Sequence, residues 1–500
     1  MSVSPQDSAF PKVLEAISAL KSGERCAVSG LLGSSKAFFI AGLFEKTAKT
    51  ILIIASTQED AEAFIKDINF FLGKNIALLY PSWEILPFEA QSPHPDIVAA
   101  KINILYKLAG GHSHIIVTTP AAILQRVMPK DILISSIQRF EVDKEINRDE
   151  VLQRLLDLGY SRTSMVEERG EMRIAGGILD IFPPTYLLPM RIEFFGDEVE
   201  AIRTFDIASQ RSKENLKEAV ILPAREIVFS KERKERAINR VRQRAEELEL
   251  SKDIRETISD RIRDGLIFAG MDFLLPLFYN KMDTLFDYLP EDCLLFLDNQ
   301  NEIEEAAEEF EDEVLEGQAE IEGKKQFFVR PEELYMSLSE FKSEFDKRGV
   351  VAIEASSGKG IVEFSAESNL DIRQDISTRK EEILKPLADR IKDWRDLGWS
   401  IFLVCHNTGQ AERLKELMEG YNLGCGQWAA GSGKSLFHHL SSTSHPLIII
   451  GDLSSGFRFP TIKLAVITEE EIFGQRIKRR EPPSRKVEVF LKFLSVLLGF

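Results

Sequence analysis

The chain has 500 residues, of which 63 are Lys or Arg and 80 are Asp or Glu, giving a formal net charge of −17. Its hydrophobic fraction of 44% and charged fraction of 29% are ordinary for globular domains, which excludes a disordered chain, a collagen-like repeat and a disulfide scaffold. This length predicts about three or four domains. The acidity argues against a protein that coats nucleic acid by bulk charge, although a local basic face remains open.

The ends of the chain and its cysteines carry no export or membrane signal. The first 20 residues lack a basic stretch followed by an apolar one, so they do not form a signal peptide. No segment approaches the roughly 18 apolar residues that span a bilayer. Four cysteines are scattered without a C-x-x-C pair, and the pairs His112/His114 and His438/His439 have no partner pair at zinc spacing. We expect a cytoplasmic protein with reduced thiols, no membrane contact and no metal site.

The first 125 residues alternate strand and helix patterns. Residues 50–55 (TILIIA) form a continuous apolar run, which is typical of a strand buried on both faces of a parallel sheet. Further strands are predicted at residues 25–28, 76–80 and 115–117, with a helix over residues 36–47. The repeated pattern predicts an α/β domain with a mostly parallel sheet.

The character of the sequence changes after that. Residues 126–212 predict a smaller α+β insert, because residues 191–206 read as two strands around a Gly-Asp turn. Residues 213–330 return to the first domain with a strand at 294–297 and a solvated acidic helix over 302–322. A further α/β domain is predicted over residues 331–480, followed by a linker and the start of a next segment over 481–500.

Residues 30–37 (GLLGSSKA) resemble a phosphate-binding loop, G-x-x-x-x-G-K-[ST]. Gly30 and Lys36 are in place, and Gly33 adds a second flexible position. Ser35 replaces the second motif glycine, and Ala37 replaces the hydroxyl that would bind Mg²⁺. The pattern indicates a nucleotide loop without its metal anchor, while a chance Gly-Lys loop remains the alternative.

A second motif of nucleotide-hydrolysing proteins also lacks a residue that hydrolysis requires. Nucleotide hydrolysis needs a strand that ends in Asp-Glu, where Asp helps to hold Mg²⁺ and Glu polarises the attacking water. The predicted strand at 294–297 ends instead in Asp298 and Asn299, and an amide cannot act as a base. We therefore expect no catalytic residue, no nucleotide cofactor and no ATP hydrolysis by this chain.

Long ordered runs of the sequence resemble the N-terminal half of the bacterial transcription-repair coupling factors. The resemblance extends to about Glu481 and is carried by four stretches. These are YPSWEILPFEAQSPHPDIVAAKINILYKL, GYSRTSMVEERGEMRIAGGILDIFPP, RIEFFGDEVEAIRTFDIASQRS and ITEEEIFGQRIKRR. The middle two also resemble the excision-repair protein UvrB.

The resemblance implies an architecture and a function. It implies a degenerate helicase-like, RecA-type domain split by an inserted UvrA-binding domain, with a further α/β domain behind. The family acts in transcription-coupled nucleotide-excision repair, displacing stalled RNA polymerase by ATP- and Mg²⁺-dependent translocation on duplex DNA and recruiting UvrA. The polymerase-binding and translocase domains are expected outside this chain. We expect this chain to supply the UvrB-mimicking, UvrA-recruiting module without ATPase activity of its own.

The resemblance also implies the residues of the UvrA contact. The matching positions are Arg162, Arg173, Arg191 and Glu193, and a further UvrB arginine falls at Ala175. Arginine suits such a contact because its planar fork pairs with carboxylates through two hydrogen bonds. The alternative for each is a surface ion pair of little value.

The tyrosine-rich DNA clamp of UvrB has no counterpart in residues 81–96, so weak DNA binding and no damage verification are expected. Three functions remain in competition: a UvrA-recruiting module, an ATPase or helicase, and a scaffold for another partner. Ser35, Ala37 and Asn299 argue against the enzyme.

Overall fold

In the computed structural model, the described residues are 9–89, 91–354, 361–372, 384–430, 435–440 and 445–474. The predicted linker over 481–500 lies outside them. Within these ranges, no helix combines the length and apolarity that crossing a bilayer would require.

The N-terminal part alternates strands and helices as predicted. The four strands are short, and three of them are buried at every position, whereas β1 begins with an exposed arginine. The third helix ends at Gly73, which has a left-handed conformation. The helices are Ala9–Ser18, Ser35–Thr47, Gln58–Leu72 and Pro95–Ala109, and the strands are β1 (Arg25–Ser29), β2 (Ile51–Ile54), β3 (Ala77–Tyr80) and β4 (Ile115–Thr118).

The insert is a mostly antiparallel sheet covered on one face. Short helices lead into it, Pro120–Ile123 and Lys130–Ser136, and helix Arg148–Asp157 follows its first strand. The strands are β5 (Gln138–Glu141), β6 (Ser161–Arg162), β7 (Glu171–Ala175), β8 (Ile178–Ile181), β9 (Met190–Phe195), β10 (Glu198–Phe205), β11 (Ser212–Leu216) and β12 (Glu218–Ile221). Six of them form one sheet in the order β11-β10-β9-β8-β7-β6. Because β12 pairs with β5, the insert continues past the end predicted at residue 212.

The chain then becomes helical before it rejoins the first sheet. The helices in this part are Lys231–Glu247, Lys252–Asp264, Met271–Leu274, Leu275–Phe278, Leu285–Tyr288, Gln300–Gly323, Pro331–Leu334 and Leu338–Phe345. The strands are β13 (Leu294–Asp298), β14 (Gly349–Glu354) and β15 (Ile361–Glu363).

The first sheet is parallel throughout, in the order β15-β1-β14-β13-β2-β4-β3. Strands from both sides of the insert therefore build one sheet, which confirms the predicted α/β class with an insert. The sheet does not stop at the domain boundary predicted at residue 330, because β14 pairs with both β1 and β13. All carboxyl ends of these strands meet at one edge, where a parallel sheet places its binding loops.

The last part forms a second, smaller α/β unit. Its strands are β16 (Ser400–Cys405), β17 (Gly426–Ala430), β18 (Leu447–Ile450), β19 (Phe457–Phe459) and β20 (Leu464–Thr468), in the order β17-β18-β16-β20-β19. Its helices are Lys385–Asp396, Thr408–Glu419, Leu436–His439, Pro460–Ile462 and Glu469–Phe473. Phe457, Phe459 and Phe402 share one apolar core with Phe38 and Phe71, so this unit packs directly on the first sheet.

Candidate functional site

The sheet of the insert has one buried face and one polar face. Alternation along the strands puts Met172, Leu179 and Ile192 in the core. The register aligns the intervening residues in a row across four strands: Arg173 on β7, Asp180 on β8, Arg191 on β9 and Arg203 on β10. This row defines the polar face.

Asp180 fixes two of the predicted arginines. Arg191 donates to both Asp180 oxygens, over 2.6 Å from Nε and 3.0 Å from Nη2. Arg173 donates to the same carboxylate over 3.2 Å. The Asp180 side chain is only 2% exposed, whereas Arg173 and Arg191 are partly exposed. The pKa of Arg191 is raised above its ordinary value, chiefly by the hydrogen bond to Asp180. The buried carboxylate therefore holds two guanidinium groups in fixed orientations at the surface.

Glu193 lies on the same face, two residues after Arg191. It accepts a hydrogen bond from Arg203 Nη1 over 2.9 Å. Its register neighbours are Ile178 and Ala201, and Ala175 faces Ile178 on the next strand. Ala175 therefore contributes only a methyl group to the face.

Arg162 occupies a different place from the other predicted residues. It is exposed on the two-residue edge strand β6, and its register partner is Met172, which belongs to the buried face. The structure thus brings Arg173, Arg191 and Glu193 onto one face and leaves Arg162 at the sheet edge, out of their row.

Phe195 belongs to the polar face but was missed by the sequence reasoning. It ends β9 at the hairpin tip, before Gly196, and is 79% exposed. Alternation places it on the side of Arg191 and Glu193, while Phe194 packs inward. The signal was present in the sequence: of two consecutive phenylalanines on a strand, one must point away from the core.

The phosphate-loop-like segment follows β1, at the carboxyl edge of the first sheet. The structure brings Lys36 and Asp298 together: Lys36 Nζ lies 2.7 Å from Asp298 Oδ1. Burial raises the pKa of Asp298 above its ordinary value, and Lys36 opposes that effect. Asn299 begins the next helix in a left-handed conformation, and its amide donates to Glu302. The lysine that would reach a phosphate in a nucleotide site is here bound to the aspartate of the second motif.

The backbone of this loop is covered by the chain itself. Gly30 has φ +74°, and a Cβ at that position would lie 1.9 Å from the carbonyl oxygen of Phe364. Ser34 N–H donates to Ser455 Oγ over 3.2 Å, and Ser34 Oγ donates to the Ser455 carbonyl over 2.6 Å. Leu32 N–H donates to Ser35 Oγ over 2.7 Å. Amide groups that would face a phosphate therefore have internal partners.

Gly33 and Ala37 are both closely packed against other parts of the chain. A Cβ at Gly33 would lie 2.2 Å from Ser455 Oγ, so the segment around Ser455 is pressed against it. The Ala37 side chain is buried in the apolar core of the first sheet. A hydroxyl at position 37 would therefore face apolar side chains.

The segment around Ser455 is held by a buried carboxylate. Asp67, on helix Gln58–Leu72, accepts hydrogen bonds from the N–H and the hydroxyl of Ser454. Burial raises the pKa of Asp67 to about 6, although both bonds to Ser454 oppose the rise. This contact anchors the second α/β unit beside the phosphate-loop-like segment.

Comparisons with known proteins match the insert and most of the chain. Residues 139–227 match the model of the UvrB interaction domain. The chain is 30% identical over 496 residues to the transcription-repair-coupling factor of Myxococcus xanthus, 29% over 472 residues to that of Bacillus subtilis, and 27% over 477 residues to that of Escherichia coli. These matches cover 95%, 91% and 93% of the chain but 41%, 38% and 40% of the relatives.

The chain therefore spans about two-fifths of the length of the curated relatives it matches. The insert found in the fold and the matched interaction domain are nearly the same segment, from β5 to shortly after β12. The resemblance predicted from the sequence is thus confirmed: residues 139–227 match the UvrB interaction domain, and the chain is similar, along more than nine-tenths of its length, to the transcription-repair-coupling factors.

Proposed function

We propose that this chain recruits UvrA to sites of stalled transcription, and that the polar face of the insert is the contact. The observation that carries the proposal is the pair Arg173 and Arg191, both bound to buried Asp180, with exposed Phe195 further along the same face, inside the segment that matches the UvrB interaction domain. A cytoplasmic location follows from this role, since bacterial transcription takes place there.

The chemistry of the face suits a protein partner. Arg173 and Arg191 are held in place before binding, so less side-chain entropy is lost when they meet carboxylates of the partner. Phe195 offers a large apolar anchor at the tip of the same hairpin, and aromatic residues and arginine are enriched where interfaces bind most strongly. Glu193 adds a carboxylate that accepts hydrogen bonds, and this determines where a basic group of the partner binds.

We propose that the motor activity of the family does not reside in this chain. ATP-driven displacement of RNA polymerase along duplex DNA belongs to a translocase in the family that the sequence resembles. We propose that this chain contributes recruitment to that process and binds no nucleotide cofactor itself.

Titration of the chain with UvrA tests the recruitment proposal. Phe195→Ala is expected to weaken binding by about 30-fold or more, because loss of an aromatic anchor from an interface typically costs about 2 kcal/mol or more. Phe473→Ala is the matched control, since Phe473 is an exposed phenylalanine outside the insert and should leave the affinity unchanged. Wild-type affinity for UvrA in Phe195→Ala would show that the hairpin tip is not part of the contact.

The phosphate-loop-like segment is expected to turn over no ATP. Lys36 is bound to Asp298, and Ser35 and Ser455 engage loop amides, which supports an inert site. Phosphate release should equal background with and without duplex DNA. Turnover that disappears in Lys36→Ala would contradict the proposal, because it would show a working nucleotide site that depends on this lysine.

A further inference from the structure

Three adjoining cavities form a groove at the carboxyl edge of the first sheet. They measure about 270, 210 and 430 Å³. The first two share Ser82, Glu84 and Ala121, and the last two share Phe310 and Tyr335. We call this the edge groove; helix Gln300–Gly323 forms one of its walls. It is separate from the polar face of the insert.

The charge of the edge groove is strongly negative. Its only basic lining residue among the described residues is Arg126, which donates to both oxygens of Glu340 over 3.0 and 2.9 Å. The acidic side chains that line it are Glu84, Glu89, Glu311, Glu313, Glu332 and Glu340. A nucleic acid would therefore bring its phosphates against carboxylates, whereas a cationic ligand is attracted.

Two buried donors in the lining lack partners. Trp83 Nε1 and Gln125 Nε2 have no hydrogen-bond partner among the described residues, although both side chains are more than nine-tenths buried. Lys101, fully buried behind them, donates from Nζ to Gln125 Oε1 and lies 5.1 Å from the Trp83 ring. Because Lys101 binds the oxygen of the Gln125 side-chain amide, the amide nitrogen Nε2 is the atom that still has hydrogens to donate. Both donor atoms lie beneath the surface of the groove, so a ligand in the groove does not contact them directly.

The groove also has an apolar wall. The rings of Phe310 and Tyr335 lie 5.2 Å apart in an edge-on arrangement. Leu315, five residues after Phe310 on the same helix, is exposed and also lines the groove. A single apolar side chain of a ligand would be covered from two sides at this point.

We propose that the edge groove binds an extended, basic peptide segment of a partner protein. Lysine or arginine side chains pair with the glutamates, and one apolar side chain packs against Phe310 and Tyr335. An extended peptide presents basic and apolar side chains at such regular spacing. The inference does not depend on the recruitment of UvrA.

Fluorescence anisotropy with three labelled probes tests the inference. The probes are the peptide KLRKLRKLR, its charge-reversed counterpart ELEELEELE, and the oligonucleotide dT12. Only the basic peptide is expected to bind. The double variant Glu84→Lys, Glu313→Lys should weaken its binding by about tenfold or more, since two ion pairs become repulsions.

The matched control is Glu309→Lys, Glu316→Lys, which makes the same charge change at exposed positions on the same helix that do not line the groove. The control should stay within about threefold of wild type. Equal weakening in both variants would show attraction by bulk charge alone. That result, failure of the basic peptide to bind, or competition by dT12 would each overturn the proposal.

Discussion

Arg191→Ala is expected to lower the free energy of unfolding of the insert by about 3 kcal/mol, because removal of one partner leaves a buried charge uncompensated. Asp180 is 2% exposed and receives two hydrogen bonds from Arg191. Arg173 remains, but its bond is longer, at 3.2 Å, and more exposed to solvent. Hydrogen exchange in β8 and β9 measures this loss, since it reports the opening of this sheet.

Arg203→Ala is the control for Arg191→Ala. Arg203 lies in the same row but pairs with Glu193, and both side chains are partly exposed. Its removal should cost about 1 kcal/mol or less. Equal effects of the two variants would contradict the anchoring role of Asp180. Because Arg173 and Arg191 contribute to the fold, their replacement by alanine cannot by itself report on UvrA binding. Phe195→Ala is therefore the variant that tests UvrA binding.

Gly30→Ala is expected to destabilise the first sheet by about 3 kcal/mol or more, since it adds steric overlap to backbone strain. The residue has φ +74°, and its Cβ would overlap the carbonyl oxygen of Phe364. Phe364 N–H in turn donates to Ser29 over 2.8 Å, so relief of the overlap must disturb the pairing of β15 with β1. Thermal unfolding of the chain measures the effect.

Gly176→Ala isolates the backbone contribution. Gly176 has φ +60°, but a Cβ there would have no heavy atom within 4 Å. The cost should therefore be limited to the left-handed conformation, about 1–2 kcal/mol. If Gly30→Ala were no more costly than Gly176→Ala, the Phe364 carbonyl would not lie against the phosphate-loop-like segment.

Local patterns were sufficient for much of the fold. The apolar run predicted as a strand at 50–55 contains β2, and the acidic helix predicted over 302–322 is Gln300–Gly323. The hairpin predicted in residues 191–206 is formed by β9 and β10. In each case the periodicity of a single segment determines the element, with no need of distant partners.

Features that depend on distant pairing were not accessible from the sequence. The placement of β14 between β1 and β13 depends on contacts across more than 300 residues of chain, so the boundary predicted at 330 missed it. Asp180 lies within β8, and no local sequence pattern marks it out. Its role emerges only when the register of three strands brings Arg173 and Arg191 to the same carboxylate. Lys36 and Asp298 likewise belong to two motifs that are distant in the sequence, and only the fold brings them together.

Hydrogen exchange of the chain alone and in complex with UvrA tests the central claim most directly. Binding through the polar face predicts added protection in β7, β9 and β10 and at the hairpin tip around Phe195, with the first sheet and the edge groove unchanged. Protection confined to the edge groove or to the phosphate-loop-like segment, with the hairpin unaffected, would contradict it.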